Sequence, residues 1–162
     1  QPKYTFGFSN AFNYGDFEFN FLLQGSIGND ILNGNSQTLE LFNGQQNAST
    51  SALGAWTSTN PSTTTPRAKL DPAPVFSDHF VEDGSFVRVK NITFAYNFPK
   101  DLTNKLKLTS VKLRLVAENL FTFTNYNGFD PEVPNGSSIS PGTDTGIYPA
   151  SVTVSGGLNI TF

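Results

Sequence analysis

Apolar and polar residues alternate strictly in five segments of the chain, which is the pattern of a β-strand with two different faces. In the last segment Val152, Val154, Leu158 and Ile160 share one face, and small or polar residues lie between them. Gly15 stands beside Asp16 between the first two segments, and this pair is typical of a tight hairpin turn. The alternation predicts strands at about residues 3–13, 16–27, 85–98, 110–123 and 150–162.

The connections between the predicted strands alternate between short and long. Residues 28–84 and 124–149 form the two long ones, which are rich in Asn, Ser, Thr and Pro and break the alternation. Short turns at one end of a sheet and long loops at the other are typical of outer-membrane β-barrels. The predicted strands also have the length of a tilted strand that crosses a bilayer. A short helix is expected within the first loop, around Leu39, Leu41 and Phe42.

Composition narrows the class of protein further. The 162 residues are 37% hydrophobic and 14% charged, below the roughly 45–50% and 25% of soluble domains, whereas 14% are aromatic. Disorder is excluded by the aromatics, and a helical membrane protein by the lack of any apolar run of roughly 20 residues. Cysteine is absent, so disulfides and thiolate metal sites are excluded. A net charge of −3 without a basic stripe gives no reason to expect nucleic acid as a partner.

Aromatic residues gather near the predicted strand ends, as in the two interfacial girdles of a membrane barrel. One group lies near the short turns (Phe12, Tyr14, Phe17, Tyr96, Phe98, Phe162) and the other near the long loops (Tyr4, Phe121, Phe123). Five strands cannot close a barrel, and an open edge in lipid leaves backbone groups unpaired. The membrane interpretation therefore predicts a piece of a larger barrel with no independently folding domain. The alternative is a soluble β-sandwich, a glycan-binding module whose apolar face is covered by a second sheet.

Several motifs, taken together and in order, resemble the C-terminal part of the SusC/RagA-type TonB-dependent outer-membrane transporters. They are GSFVRVKNITFAYNFP at 84–99, AENLFTFTNYNGFDPEV at 117–133, WTSTNP at 56–61, PR at 66–67, YP at 148–149 and GLNITF at 157–162. The resemblance implies an all-β, antiparallel transmembrane barrel of 22 strands with a plug. This chain would supply its last five strands and two long extracellular loops. No residues here correspond to the plug.

The resemblance also implies a function and a set of partners. Such transporters import glycans, oligosaccharides or peptides across the bacterial outer membrane; they are not enzymes and need no cofactor. Their partners are a SusD-like surface lipoprotein, the TonB complex and outer-membrane lipid. Here the remainder of the barrel and its plug are also expected as partners.

Candidate residues fall into three groups. On the long loops, aromatic and acidic side chains are candidates for contact with substrate or with the lipoprotein lid; the alternative is that they fold the loops on themselves. On the polar face of the fourth strand, charged residues are expected in the lumen, in contact with plug or solute or simply solvated. The terminal aromatic resembles an assembly signal, or is only a girdle residue. The loop candidates are Trp56, Tyr126, Phe129, Asp130, Glu132 and Tyr148. The lumen candidates are Lys112, Arg114 and Glu118, and the terminal aromatic is Phe162.

The acidic residues Asp130, Glu132 and Asp144 admit two chemical hypotheses, a glycosidase pair and a calcium site. Their spacing on a Pro-containing loop does not support general acid–base chemistry, and no nucleophile accompanies them. His79 is the only histidine, which excludes a site built on several histidines. The sequence therefore predicts no catalytic residue and no metal site.

Overall fold

The computed structural model describes residues 1–40, 47–69, 77–132 and 142–162. It contains eight strands, two short α-helices and two 3-10 turns at Thr50–Gly54 and Asp78–Phe80 within these ranges. No helix in the described part of the chain has the length and apolar sequence needed to cross a membrane. The elements are β1 (Tyr4–Tyr14), β2 (Phe17–Ile27), β3 (Asp30–Asn33), α1 (Gly34–Leu39), β4 (Val81–Asp83), β5 (Phe86–Asn97), α2 (Lys100–Lys105), β6 (Ser110–Thr124), β7 (Thr143–Asp144) and β8 (Thr153–Thr161).

The chain divides into two compact units, which we call the strand unit and the loop unit. The strand unit comprises residues 2–29, 85–125 and 149–162, and the loop unit comprises residues 30–84 and 126–148 together with Gln1. The strand unit contains one antiparallel sheet in the order β1-β2-β5-β6-β8. The all-β fold class is therefore confirmed. Each of these five strands begins and ends within three residues of the bounds expected from the alternation.

The loop unit contains a second sheet, in the order β4-β3-β7, that the sequence analysis did not anticipate. The two long segments, which break the alternation, thus contain short strands among their described residues. Strands of four, three and two residues are too short for alternation to be visible. In the expected helical region, Leu39 is the last residue of α1, while Leu41 and Phe42 lie outside the described residues.

The β1–β2 hairpin is the most local part of the strand unit. Its register runs without interruption from the Tyr4–Ile27 pair to the Tyr14–Phe17 pair, so only Gly15 and Asp16 form the turn. Gly15 has φ +57°, which is in the left-handed region that glycine adopts at little cost. The tight hairpin turn predicted at Gly15 and Asp16 is therefore present.

One face of the five-stranded sheet is apolar and exposed. The register places Phe12, Phe19, Phe94 and Leu115 in one row across four strands. At the end with the short turns, the Phe17 and Tyr96 rings are 4.8 Å apart between centroids, and Tyr96 and Phe98 are 5.1 Å apart. An apolar patch of this extent on a soluble protein would mark a surface that something else covers.

A β-bulge in β5 changes the phase of the alternation. Leu22 of β2 pairs with Asn91 and the next residue, Leu23, pairs with Val89, so Lys90 is an extra residue on β5. As a result Val89 lies on the same face as Phe94, although their numbers differ in parity. The bulge keeps the apolar face continuous along the whole strand.

Substitution of Gly25 by alanine is expected to destabilise the sheet. Gly25 pairs with Phe6, whose ring covers it, and a Cβ at position 25 would collide with that ring and lie 2.9 Å from the carbonyl oxygen of Phe86. Overpacking of this kind costs about 1–3 kcal/mol. Gly7 is the matched control, because a Cβ there meets nothing within 4 Å. Urea unfolding of the protein in detergent micelles should separate the two variants, and an equal loss at both positions would contradict the proposed packing.

Candidate functional site

The sheet of the loop unit brings the two long segments of the chain together. β3 pairs antiparallel with β4, through Leu32 and Val81, and parallel with β7, through Leu32 and Thr143. Ile31 is almost fully buried in this unit. The described parts of the two long segments therefore belong to one folded body.

Glu82 joins three parts of the loop unit through hydrogen bonds. Its Oε1 accepts a hydrogen bond from Asn33 Nδ2 at 2.9 Å. Its Oε2 accepts one from the backbone N–H of Asn127 at 2.8 Å and one from Asn127 Nδ2 at 3.0 Å. Asn33 is itself buried, and its Oδ1 accepts from the N–H of Ser36, which caps α1. Charge-assisted bonds of this kind are stronger than neutral ones, so Glu82 ties the two segments together.

Tyr126 and Asp144 form a second buried connection in the loop unit. The Tyr126 hydroxyl donates to Asp144 Oδ2 at 2.7 Å, and Asp144 Oδ1 accepts from the Gly146 N–H at 2.8 Å. Tyr126 is 6% exposed and Asp144 2% exposed. Burial, and then the hydrogen bond to Asp144, raise the pKa of Tyr126 far above its ordinary value, so the hydroxyl remains a donor at neutral pH. Of the two alternatives for Tyr126, this geometry favours a role in folding the loops.

The other rim candidates differ in how accessible they are. Phe129 and Tyr148 are exposed, Tyr148 to 85%, and Trp56 is 38% exposed. Asp130 Oδ1 accepts from the N–H of Glu132 at 2.9 Å, so this carboxylate closes a local turn. Among the described residues, no group of three or more histidine, aspartate or glutamate side chains is placed to hold a metal ion.

A cavity of about 520 Å³ lies beside Trp56 in the loop unit. The backbone N–H of Trp56 donates to the Thr65 carbonyl at 3.2 Å, and Asn60 donates to Thr57 through a tight turn, so the WTSTNP motif folds back on itself. We call this cavity the Trp56 pocket. Its described lining is Trp56, Ser62, Thr63, Thr64, Thr65, Pro66, Arg67, Ser77, His79 and Phe80.

Two lining residues of the Trp56 pocket were missed as candidates. Arg67 appears in the sequence only as part of the PR motif, and His79 only as the single histidine, so neither was a site candidate. His79 packs edge-on against Phe80 with the ring centroids 4.9 Å apart, and its Nε2 lies 3.4 Å from Glu40 Oε2. The available signal for Arg67 was an arginine in the same polar segment as Trp56, the only tryptophan of the chain.

The three charged residues expected in a lumen lie in β6 of the strand unit. Lys112 Nζ is 2.7 Å from Glu18 Oε2, and Asn97 Nδ2 donates to Glu18 Oε1 at 2.8 Å, so these three side chains form a polar cluster across the strands. Arg114 pairs with Ala95 and Gly157 and is exposed, as is Glu118. Phe162 follows the last residue of β8 and is almost fully exposed.

Comparison with known proteins tests the resemblance found in the sequence. No family model matches the chain. It is 38% identical over 167 residues to TonB-dependent receptor P3 of Formosa agariphila, covering 99% of this chain. It is 28% identical over 160 residues to TonB-dependent receptor SusC of Bacteroides thetaiotaomicron, covering 96% of this chain. The predicted resemblance to SusC/RagA-type TonB-dependent receptors is confirmed.

Solved structures of the RagAB peptide importer resemble the chain in three dimensions as well. In the open-open state the TM-score is 0.83 at 28% sequence identity, and in the closed-closed state it is 0.84 at 28%; each covers 100% of this chain. The match covers 17% of the RagAB chain and 16% of receptor P3. The chain thus spans about one sixth of the length of these relatives, and both units described above fall within the matched part.

Proposed function

We propose that this chain forms the last five strands of a 22-stranded outer-membrane barrel in a TonB-dependent importer of nutrients. The observation that carries the proposal is the five-stranded sheet with one exposed apolar face and two open edges. The match to TonB-dependent receptors over the whole chain supports it. In this role the strand unit is barrel wall, and the loop unit is part of the external rim.

The open edges support a wall that continues on both sides. Among the described residues, β1 pairs only with β2 and β8 pairs only with β6. An unpaired backbone group in lipid costs several kcal/mol, so a membrane sheet cannot end at either strand. Strands from outside this chain must therefore complete the ladder, and the five strands do not constitute a domain that folds alone.

The two faces of the sheet support a division between lipid and lumen. Phe12, Phe94 and Leu115 belong to the apolar face, which we assign to lipid. Glu18 and Lys112 pair on the opposite face, which we assign to a polar interior or to contact with a plug. Charged side chains are tolerated on the lumen side of a barrel and are costly on the lipid side.

The connections support one orientation in the membrane. Both long segments leave and rejoin the strand unit at the end where Phe86 pairs with Thr124, whereas the Gly15–Asp16 turn lies at the opposite end. Long loops of outer-membrane barrels face outward and short turns face the periplasm. We therefore assign the loop unit to the cell exterior and Phe162 to the periplasmic end, where it serves as assembly signal or girdle residue.

The proposed activity is that of the whole receptor, of which this chain is one part. Glycans, oligosaccharides or peptides are the proposed cargo, since the structural relatives include a peptide importer. A SusD-like lipoprotein is the proposed lid, and the TonB complex is the proposed source of energy. Phe129 and Tyr148 are the proposed contacts to the lid or substrate, because they are exposed on the loop unit. No catalytic role is proposed for Asp130 or Glu132.

Cysteine labelling in intact cells tests this orientation directly. This chain has no cysteine, so each single substitution adds one thiol to it, and the unsubstituted receptor is the control for labelling elsewhere. Ser58→Cys lies on an exposed turn of the loop unit and is expected to react with a membrane-impermeant maleimide. Asp16→Cys, in the exposed hairpin turn, is expected to react only after the outer membrane is permeabilised. Equal labelling of both positions in intact cells would reject the orientation, and equal labelling in a membrane-free soluble fraction would favour the soluble glycan-binding module.

A further inference from the structure

The Trp56 pocket presents hydrogen-bond donors that no described residue satisfies. Neither the indole N–H of Trp56 nor the guanidinium of Arg67 has a partner within the described ranges. Trp56 is 38% exposed and lines the cavity. An arginine always carries its charge and offers a planar fork of N–H donors. Arg67 is itself exposed and its donors are hydrated, so a ligand with acceptor atoms would take the place of water at this side of the pocket.

The charges around the pocket favour an anion. None of the described lining residues is acidic. Two described carboxylates contact lining residues and are engaged there: Glu40 Oε2 lies 3.4 Å from His79 Nε2, and Asp78 Oδ1 accepts from Ser77 Oγ at 3.3 Å. Among the described lining residues, Arg67 is the one that always carries a charge, and a carboxylate is a group that its planar fork matches in geometry.

The shape and the other lining groups favour a sugar as the carrier of that carboxylate. A volume of about 520 Å³ lies in the range of small-ligand sites and accommodates one or two sugar rings. The planes of Trp56 and Phe80 offer flat apolar surface for the C–H face of a pyranose. Thr63 and Thr64 supply hydroxyls for the ring hydroxyls of the ligand.

We propose that the Trp56 pocket is an external binding site for a carboxylated pyranose within an oligosaccharide. The indole of Trp56 stacks on the sugar ring, and Arg67 binds its carboxylate. This inference rests on the proposed function, since it places the pocket on the external rim of the importer. It narrows the proposed cargo from glycans or peptides in general to acidic oligosaccharides.

The test measures equilibrium binding to the complete receptor, purified in detergent, by calorimetry. The probes are a short galacturonate oligomer and its carboxyl-reduced, neutral counterpart, with a short glutamate peptide as competitor. The wild type is expected to bind the acidic sugar at least about tenfold more tightly than the neutral one, because a charge-assisted bond is involved. Arg67→Gln should lower affinity for the acidic sugar by about ten- to a hundredfold and leave the neutral one unchanged. Trp56→Leu should weaken binding of both.

Lys69→Gln is the matched control. Lys69 lies two positions after Arg67 and carries the same charge, but its side chain is not part of the pocket lining. It should leave both affinities within about twofold, since exposed charges interact weakly through water. Equal losses in Arg67→Gln and Lys69→Gln would overturn the inference, as would equal affinity of the wild type for both sugars. Displacement of the sugar by the glutamate peptide at equal concentration would overturn the choice of sugar over peptide.

Two further arms keep the test decisive. If Arg67→Gln fails to assemble, Arg67→Lys keeps the charge without the fork and should give an intermediate loss for the acidic sugar alone; an unchanged affinity would count against the inference. The comparison of acidic with neutral sugar on the wild type needs no variant.

Binding to purified protein does not depend on transport, so retained selectivity with failed cysteine labelling would reject only the proposed function. Correct labelling without selectivity would reject only the pocket.

Discussion

Arginine in place of Leu115 is expected to prevent stable assembly in the membrane, whereas alanine in place of Arg114 is expected to be tolerated. Leu115 is 48% exposed on the apolar face, where it pairs with Phe94 and Gly156. Arg114 is its neighbour in β6 and lies on the opposite face. A cationic side chain toward lipid costs about 2–4 kcal/mol at the midplane of a barrel and little in the lumen. The measurement is the amount of folded, protease-resistant protein in the outer-membrane fraction.

Leu115→Ala is the control for lost side-chain volume, and its yield should lie close to that of the wild type. A low yield for the arginine variant alone assigns the defect to charge in lipid. Equal yields of Leu115→Arg and Arg114→Ala would show that the two faces of the sheet are assigned incorrectly. If the protein were a soluble β-sandwich, Leu115→Arg would also destabilise it, but the wild-type protein would not be found in the membrane fraction.

Removal of the Tyr126 hydroxyl is expected to loosen the loop unit. Tyr126→Phe deletes the donor to Asp144 Oδ2 and leaves that buried oxygen without its 2.7 Å partner. A hydrogen bond to a charged group contributes about 1.5–3 kcal/mol, so the free energy of local opening should fall by that amount. Amide hydrogen exchange at β3 and at residues 142–147 measures the opening, since these backbone groups lie in or beside the β3–β7 pairing.

Tyr148→Phe is the matched control, because it removes the same hydroxyl from a side chain that is 85% exposed. It should leave exchange at β3 unchanged. Asp144→Ala should have a larger effect than Tyr126→Phe, since it also removes the acceptor of the Gly146 N–H. Identical exchange in Tyr126→Phe and the wild type would mean that Glu82 and the β3 pairing hold the loop unit without the tyrosine.

The strand unit follows from the sequence because its physical cause is local. Each strand has one apolar and one polar face, so every second residue reports which face it occupies, and five strands are visible in the alternation alone. The β5 bulge is the exception. Val87 and Val89 have odd numbers, whereas the later apolar residues of the strand have even numbers, and the two sets share a face only because of the bulge. The prediction from alternation did not include this bulge. The change from odd-numbered to even-numbered apolar positions within this segment was the signal that could have indicated the bulge.

The loop unit does not follow from the sequence in the same way. Asn33 meets Glu82 across 49 positions, and Tyr126 meets Asp144 across 18, through single polar side chains that carry no periodicity. Tyr126 illustrates the difficulty: an aromatic residue in a polar loop suits a binding surface and a buried hydrogen bond equally well. Only its accessibility distinguishes the two roles, and that depends on contacts distant in the chain.

The two-residue turn between β1 and β2 also bears on the order of events during folding. A hairpin joined by Gly15 and Asp16 closes almost no loop and forms in about 1–10 μs, the ordinary time for a β-hairpin. Pairing of β2 with β5 must first bring Ser26 to Phe86 across the whole first long segment, at a greater entropic cost. The β1–β2 hairpin can therefore arrive at the membrane already paired, whereas the pairing of β2 with β5 waits until the first long segment has brought these two strands together.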